Sequence, residues 1–386
     1  MQKGIFTDND TGRAYFTGYA YRTLYDWDQY FEAIVQLYMG WPSTYIKNGV
    51  LIFLDHQQPS GLISRSVPSN SYHDPEHVKP FLSQTAYLVA RAYGETEWIL
   101  NPEYFPRLQR YLDYWLEEMD STGDGLSEWM SAPHTGMDNQ HERAGYWLDR
   151  FSEGVDLNCY LVRELQAFSW LAARYGQEEV ATTYARRAEA LAERVRTLLW
   201  DAEDGFFYDG NARAGDPLRS RKAGWAAALN QTNESRIRVK SVASFAALWA
   251  GVATAEQAQR LIVEHLFNSR EFWTPYPVAA LAKSERWYSR DHLPSDLGCN
   301  WRAKVWIPTN YMIYQGLRRY GYGQLASVVA YATHGLVKSS GNCEYYDAET
   351  GVGCGLDPFW GWSLLAHFLP FEEAVGVDPT ALDVMD

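Results

Sequence analysis

Segments with apolar residues spaced three and four apart recur along the chain, and the connections between them alternate short and long. That alternation constrains the fold more than any single motif. Positions three and four apart share one face of a helix, whereas strands repeat every two residues, and two-residue alternation is scarce here. The spacing predicts helices over about Trp27 to Met39, Thr44 to Gln57, Lys79 to Tyr93, Tyr104 to Met119, Gly154 to Tyr175, Glu178 to Leu199, Lys240 to Gly251, Thr254 to Leu266, Val305 to Tyr320, Gln324 to Leu336 and Phe359 to Phe368. Short links at Gly40 to Ser43, Gly94 to Glu103, Gly176-Gln177 and Gly321 to Gly323 alternate with long ones at Gln58 to Val78, Asp120 to Glu153, Trp200 to Val239, Asn268 to Lys304 and Lys338 to Pro358.

Helical hairpins with every second link elongated bring the long links together at one end of a helical layer. Loops beyond about 15 residues inside a compact domain are usually functional. Here they carry most of the Asp, Glu, Trp and Tyr clusters. No Pro/Ser-rich linker or change of composition divides the chain, so residues 1–386 are expected to form one all-α domain, a ring of helix pairs or α/α toroid with a cleft under its long loops. Eleven candidate helices leave one of a twelve-helix ring unaccounted for.

Charge and ring content narrow the ligand. A formal net charge of −14 argues against nucleic-acid or anionic-membrane partners, which are held mainly by Lys and Arg. The 16 Trp and 27 Tyr exceed ordinary usage and suggest a cleft lined with rings. The start, MQKGIFTDND, lacks a basic stretch followed by an apolar core, and no run approaches a membrane span, so a soluble, cytoplasmic protein is expected. Cys159, Cys299, Cys343 and Cys354 have no CxxC spacing and are expected to be free thiols, with Cys343 of interest beside Glu344.

Within the long loops, SAPHTGMDNQHERAGYW, Ser131 to Trp147, places Asp138 between Gly136-Met137 and Asn139-Gln140 and near His134, Tyr146 and Trp147. Rings suit pyranose faces and amides suit hydroxyls, although Asp-Asn after Gly also bends an ordinary turn. GNCEYYDAETG offers a second carboxylate, Glu344, followed by Tyr345 and, farther on, Trp360. YDWDQYF sets Trp27 and Asp28 at a helix start, where one Asp serves equally as a cap. Lys79 opens another helix, and Trp301, Arg302 and Trp306 precede a third, although paired Trp is also ordinary core packing. In DSTGDGLSE, Asp120, Thr122, Asp124, the Leu126 carbonyl and Glu128 follow the oxygen order of the first part of a calcium loop, but position twelve is Ser131 rather than Glu. A Gly-Asp-Gly turn is the competing reading.

Glycoside hydrolysis needs one carboxyl group kept protonated for the leaving oxygen and one kept ionised for water or the anomeric carbon. The motifs YDWDQYF, HVKPFL, GDGLSEW, TGMDNQ, NWRAKVWIPTNYMIYQGLRRYG and GNCEYYDAETG with FWGW occur in the order that resembles glycoside hydrolase family 63 and its relatives, the bacterial mannosylglycerate and glucosylglycerate hydrolases and, more distantly, the family 37 trehalases. The resemblance implies an (α/α)6 toroid and hydrolysis of α-glycosides with inversion. It also implies Asp138 as general acid and Glu344 as general base, with Trp27, Asp28, Trp301, Arg302 and Trp306 around the substrate, and the residues themselves add Lys79, Asn139, Gln140, Tyr345 and Trp360 as candidates for substrate contact. No cofactor is implied for the chemistry, and a structural calcium in the Asp120 loop is implied by some members. WRAK replaces the usual WRGP through Ala303 and Lys304, and a toroid without the β-sandwich of the larger members is expected. The implied substrate is a small α-glucoside or α-mannoside, and for an acidic aglycone such as glycerate the candidate arginines are Arg65, Arg143 and Arg150. Two other readings stand beside this one, a toroidal carbohydrate epimerase or isomerase, which would lean on His pairs, and a non-catalytic sugar-binding toroid.

Overall fold

A computed structural model describes residues 2–69, 74–145, 150, 152–214, 234–293, 296 and 298–382. Tyr146 and Trp147, both candidates by sequence, lie outside the described residues.

Twelve helices of the described chain build the ring. They are α1 Asp26–Tyr38, α2 Thr44–Asp55, α3 Leu82–Tyr93, α4 Phe105–Asp113, α5 Val155–Arg174, α6 Glu178–Arg194, α7 from Val242–Phe245 into Ala246–Trp249, α8 Ala255–Arg260, α9 Ile307–Arg319, α10 Gly323–Ser340, α11 Trp362–His367 and α12 Leu369–Val375. Wider turns at Tyr114–Glu118, Val195–Leu199 and Leu261–Leu266 prolong α4, α6 and α8. Helix α12 is the member that the spacing did not reveal. It carries Pro370 in its first turn, where a missing N–H costs nothing, and ends at Gly376 with a left-handed φ of 75°.

Packing orders these helices into two layers. Helix α1 packs on α3, α3 on α5, α5 on α7, α7 on α9, α9 on α11, and α11 returns to α1. The odd-numbered helices therefore close an inner ring. Their burial agrees, because 11 of 13 residues are buried in α1 and in α9, against 5 of 17 in α6 and 6 of 18 in α10. A helix touched on every side is buried all round, and one on the outside keeps a polar face. The fold is an (α/α)6 toroid. Among the described residues no helix is long and apolar enough to cross a membrane.

Every long loop precedes an inner helix, so the long loops gather at one end. Short antiparallel pairings tie them there. Leu24–Tyr25 pairs with Ser66–Val67, Asp209–Asn211 lies between Ser152–Glu153 and Arg236–Ile237, and Tyr345–Asp347 lies between Lys304–Val305 and Gly353–Cys354. Lys304, the departure from WRGP, sits in the last of these sheets with Nζ 2.9 Å from Asp347. The segment Asp201 to Gly210 forms a hairpin, Trp200–Asp201 against Phe206–Phe207, in which Phe206 packs on Phe245, His265 and Phe272.

At the other side of the ring, buried Glu372 of α12 accepts hydrogen bonds from Tyr38 of α1 and from Tyr311 and Gln315 of α9. One carboxyl group thus fastens the first helix to the ninth. Burial pushes its pKa up from 4.5 to about 7. Between these values the unfolded chain binds fewer protons than the folded one, so the contribution of this group to stability is full below about pH 4.5 and falls as pH rises through about 7. Replacing Glu372 by Gln removes that titration. Thermal melts should show the parent losing more stability between about pH 5 and pH 7.5 than the Glu372→Gln variant loses, and equal losses would contradict the assignment.

Candidate active site

Asp138 is positioned by a chain of local constraints. Ser131 caps the short helix Ala132–Thr135 by accepting from the His134 N–H at 3.1 Å. His134 is held in one neutral tautomer, its Nδ1 accepting from the Met130 N–H at 3.1 Å and its Nε2 donating to the His77 carbonyl at 2.7 Å. Burial keeps its pKa well below the usual histidine value. Gly136 ends the helix with φ 84°, and a Cβ there would stand 2.8 Å from the Trp27 ring. Glycine is thus needed twice over, for the backbone and for the ring.

The two residues after Asp138 lock this loop to the loop before α9. Asn139 Oδ1 accepts from the Trp301 N–H at 2.7 Å, and Gln140 Nε2 donates to the Trp301 carbonyl at 2.5 Å. Gln140 also donates to the Ala280 carbonyl and accepts from Ser241. Both amides are fully buried. They join loops, where the sequence suggested contact with hydroxyls.

Glu344 is held by the backbone of Leu356, whose carbonyl accepts the Glu344 N–H and whose N–H donates to Glu344 Oε2, both at 3.0 Å. Gly355, φ 70°, lies so closely against the carboxylate that a Cβ there would collide with Oε2. Trp362 donates its Nε1 to the Glu344 carbonyl at 2.9 Å.

Asp138 and Glu344 face one cavity of about 470 Å³. Its base is built of Trp27, Trp301 and Trp306. Trp301 and Trp306 stack with centroids 3.7 Å apart and planes 6° apart, and Trp27 meets Trp301 at 5.6 Å. Tyr345 stacks on Trp306 at 4.5 Å without lining the cavity. Asp28 lines it too, receiving the Tyr19 hydroxyl at 3.1 Å. Burial, then the nearby Asp26, push Asp28 up to about 8. Burial also raises Asp138 and Glu344 above ordinary carboxyl values, and the Asp138 charge adds to the rise at Glu344.

Other sequence candidates lie behind the wall. Lys79 Nζ is 3.0 Å from Asp26 and stands 5.5 Å over the Trp27 ring, so it supports the pocket without lining it. Arg302 is buried between Asp296 at 2.7 Å and Glu142 at 3.3 Å. Trp360 bonds the Thr17 carbonyl at 3.2 Å, while Trp362, two residues on, lines the cavity. Of the three arginines, Arg143 is buried against Asp156 and Asp209, and Arg150 pairs with Glu128 at 2.7 Å. Arg65 alone among them lines the cavity, with Nε 2.5 Å from Glu76.

The Asp120 loop folds on its own amides. Asp120 accepts from the Gly123 and Gly125 N–H groups and from the Thr122 hydroxyl, and Asp124 accepts from the Leu126 N–H. Glu128 accepts from Ser121 and is paired with Arg150. In this arrangement these side-chain oxygens hold the turn together. The described Asp, Glu, Cys and His side chains that bring three ligand atoms within 4.8 Å of one another are Asp8, Asp10 and His56.

Sequence reasoning missed Tyr19, Tyr21 and Tyr25, which line the cavity just before α1, and the pair Gly298-Cys299. A rise in tyrosine density before YDWD was the available signal for the first group. Cys299 donates its N–H to Asp138 Oδ2 at 3.1 Å and has Sγ 3.5 Å from Glu344 Oε1. All four cysteines are free.

Comparison with known proteins gives these observations a setting. Residues 21–363 match the family described as the mannosylglycerate hydrolase MGH1-like glycoside hydrolase domain. Mannosylglycerate hydrolase MGH2 of Selaginella moellendorffii is 31% identical over 201 residues, 51% of this chain and 35% of that protein. The mannosylglycerate hydrolase of Rubrobacter radiotolerans is 28% identical over 218 residues, 55% of this chain and 42% of that protein. The chain thus aligns with less than half the length of these curated relatives. The crystal structure of the GH63 mannosylglycerate hydrolase from Thermus thermophilus, in complex with Tris and D-glycerate, superposes with a TM-score of 0.69 at 19% identity, covering 94% of this chain and 97% of that one. At that identity the likeness shows the fold.

The joining role of Asn139 is open to direct measurement. Asn139→Ala leaves the buried Trp301 N–H without its acceptor, which costs roughly 1–3 kcal/mol. Urea unfolding should show a loss of that size. An unchanged midpoint, with altered ligand binding only, would return Asn139 to the role of a hydroxyl reader.

Proposed function

Because the chain belongs to the mannosylglycerate hydrolase MGH1-like family of glycoside hydrolases, we propose that it hydrolyses a small α-glucoside or α-mannoside with inversion, Asp138 acting as general acid and Glu344 as general base. The observation that carries this reading is that the buried Glu344 and the partly buried Asp138 face one ring-based cavity and are touched by the same residue, Cys299. The stacked indoles of Trp301 and Trp306 offer an apolar platform to a pyranose. Asp28, pushed up to about 8, keeps its proton at neutral pH and both donates to and accepts from sugar hydroxyls.

The two carboxyl groups need opposite protonation states. Burial supplies the first, since an uncharged Asp138 avoids the cost of desolvating a carboxylate. The Leu356 N–H and the Cys299 thiol favour the second by donating to Glu344. In an inverting site, water enters between the base and the anomeric carbon while the acid protonates the departing oxygen on the opposite side. A glycerate leaving group brings a carboxylate, and Arg65 on the cavity wall is placed to receive it.

An epimerase reading gains no support, because among the described residues no histidine lines the cavity. The test is release of free sugar from α-mannosylglycerate, α-glucosylglycerate and trehalose. The parent should turn over at least one, and Asp138→Asn and Glu344→Gln should each lower kcat by about 10² to 10⁴. Arg65→Gln should raise KM for a glycerate substrate by roughly tenfold or more, with less effect on trehalose. Near-parental rates in either carboxyl variant would overturn the assignment, and no release from any substrate would overturn hydrolysis of this class.

A further inference from the structure

Cys299 lies outside every motif that pointed to the site, yet it touches both carboxyl groups. Its place is fixed from both sides. Gly298 before it, φ 68°, lies so close to Asp138 that a Cβ would be 2.5 Å from Oδ2. Asn300 after it accepts from the Arg302 N–H at 2.9 Å and receives the Trp306 indole N–H on its carbonyl at 3.0 Å. Trp301 is locked by Asn139 and Gln140. The peptide therefore has little freedom to drift from either carboxylate.

We propose that Cys299 is a positioning residue that sets acid against base. Its N–H occupies Oδ2 of Asp138, which leaves Oδ1 to carry the proton. Its thiol donates to Oε1 of Glu344 while the Leu356 N–H holds Oε2, so the base is aimed and kept ionised. The proposal rests on the reading of Asp138 as acid and Glu344 as base. Burial and the surrounding acids keep the Cys299 thiol protonated, which makes it a donor. The groups facing Glu344 are Asp138, Asp28, Tyr19, Tyr21 and Tyr345 beside Cys299, and those facing Asp138 include Arg65, Lys79 and Glu76.

A donor to an ionised carboxylate lowers its pKa, so losing the donor raises it. Cys299→Ala keeps the backbone N–H on Asp138 and removes only the thiol. With an α-glycoside that the parent hydrolyses, this variant should lose kcat with KM near the parental value. The acidic limb of kcat/KM should move to higher pH, so that the rate near pH 5 falls roughly three- to tenfold, and the basic limb should stay in place. Cys299→Ser, which restores a donor, should bring the acidic limb back. Coincident acidic limbs in parent and Cys299→Ala would overturn the proposal.

A second readout does not depend on hydrolysis. Alkylation of Cys299 by iodoacetamide, followed by peptide mass spectrometry, reports the thiolate fraction. Removing a facing charge in Glu344→Gln or Asp138→Asn should speed alkylation near pH 8 several-fold. Equal rates in the three proteins would overturn the contact and the proposal with it. Absence of sugar release from the parent would overturn the hydrolase reading alone, because the alkylation rates judge the contact separately.

Discussion

The arrangement of this site depends on two buried hydrogen bonds to one residue. Asn139 accepts the Trp301 N–H and Gln140 donates to its carbonyl, so the loop before α5 and the loop before α9 behave as one piece. Asp138 precedes the first of these anchors and Cys299 precedes Trp301 by two residues. The same pair of bonds therefore decides where Asp138 stands, where the stacked indoles stand and where the peptide between the carboxyl groups runs. Buried amides left unpaired cost far more than a paired one gains, which makes this junction hard to shift.

Electrostatics follow from how the cations of the site are used. Lys79 pairs with Asp26 and Arg65 with Glu76, and although both cations also pull Asp138 down, burial outweighs them. Burial then dominates. Asp28, Asp138 and Glu344 are all raised, and Glu32 one turn below Asp28 is raised well above its ordinary value while accepting the Gly18 N–H. Burial that raises a carboxyl group favours its use as a proton donor to a leaving oxygen. Glu344 receives an N–H on one oxygen and a thiol on the other, and Asp138 receives the Cys299 N–H on Oδ2, the contrast on which the proposed assignment of base and acid draws.

Much of this was legible in the residues. Three- and four-residue spacing gave eleven helices, and the alternation of link lengths placed the functional loops at one end of a ring. Helix α12 escaped because it is short, carries Pro370 in its first turn and leaves Phe371 and Val375 exposed, so it lacks a long apolar stripe. The motifs drew attention to Asp138, Glu344, Trp27, Asp28, Trp301 and Trp306, all of which line the cavity. They did not separate side chains that face the cavity from those that brace it. Asn139, Gln140, Lys79 and Arg302 look like ligand readers in sequence because polar residues beside a carboxylate suit either task, and only the folded partners distinguish them. Trp360 and Trp362 differ by two positions in an irregular segment, where no period predicts direction. Cys299 carried no signal at all, because its importance lies in a backbone N–H and a contact with a residue distant in sequence.

The measurement that tests the central claim most directly is proton NMR of the anomeric signals during the first moments of hydrolysis of an α-glycoside. With Asp138 delivering a proton and Glu344 directing water from the opposite face, the β-anomer of the free sugar should appear first and the α-anomer should follow by mutarotation. First appearance of the α-anomer would mean retention through a glycosyl-enzyme, and would contradict Glu344 as the base that directs water.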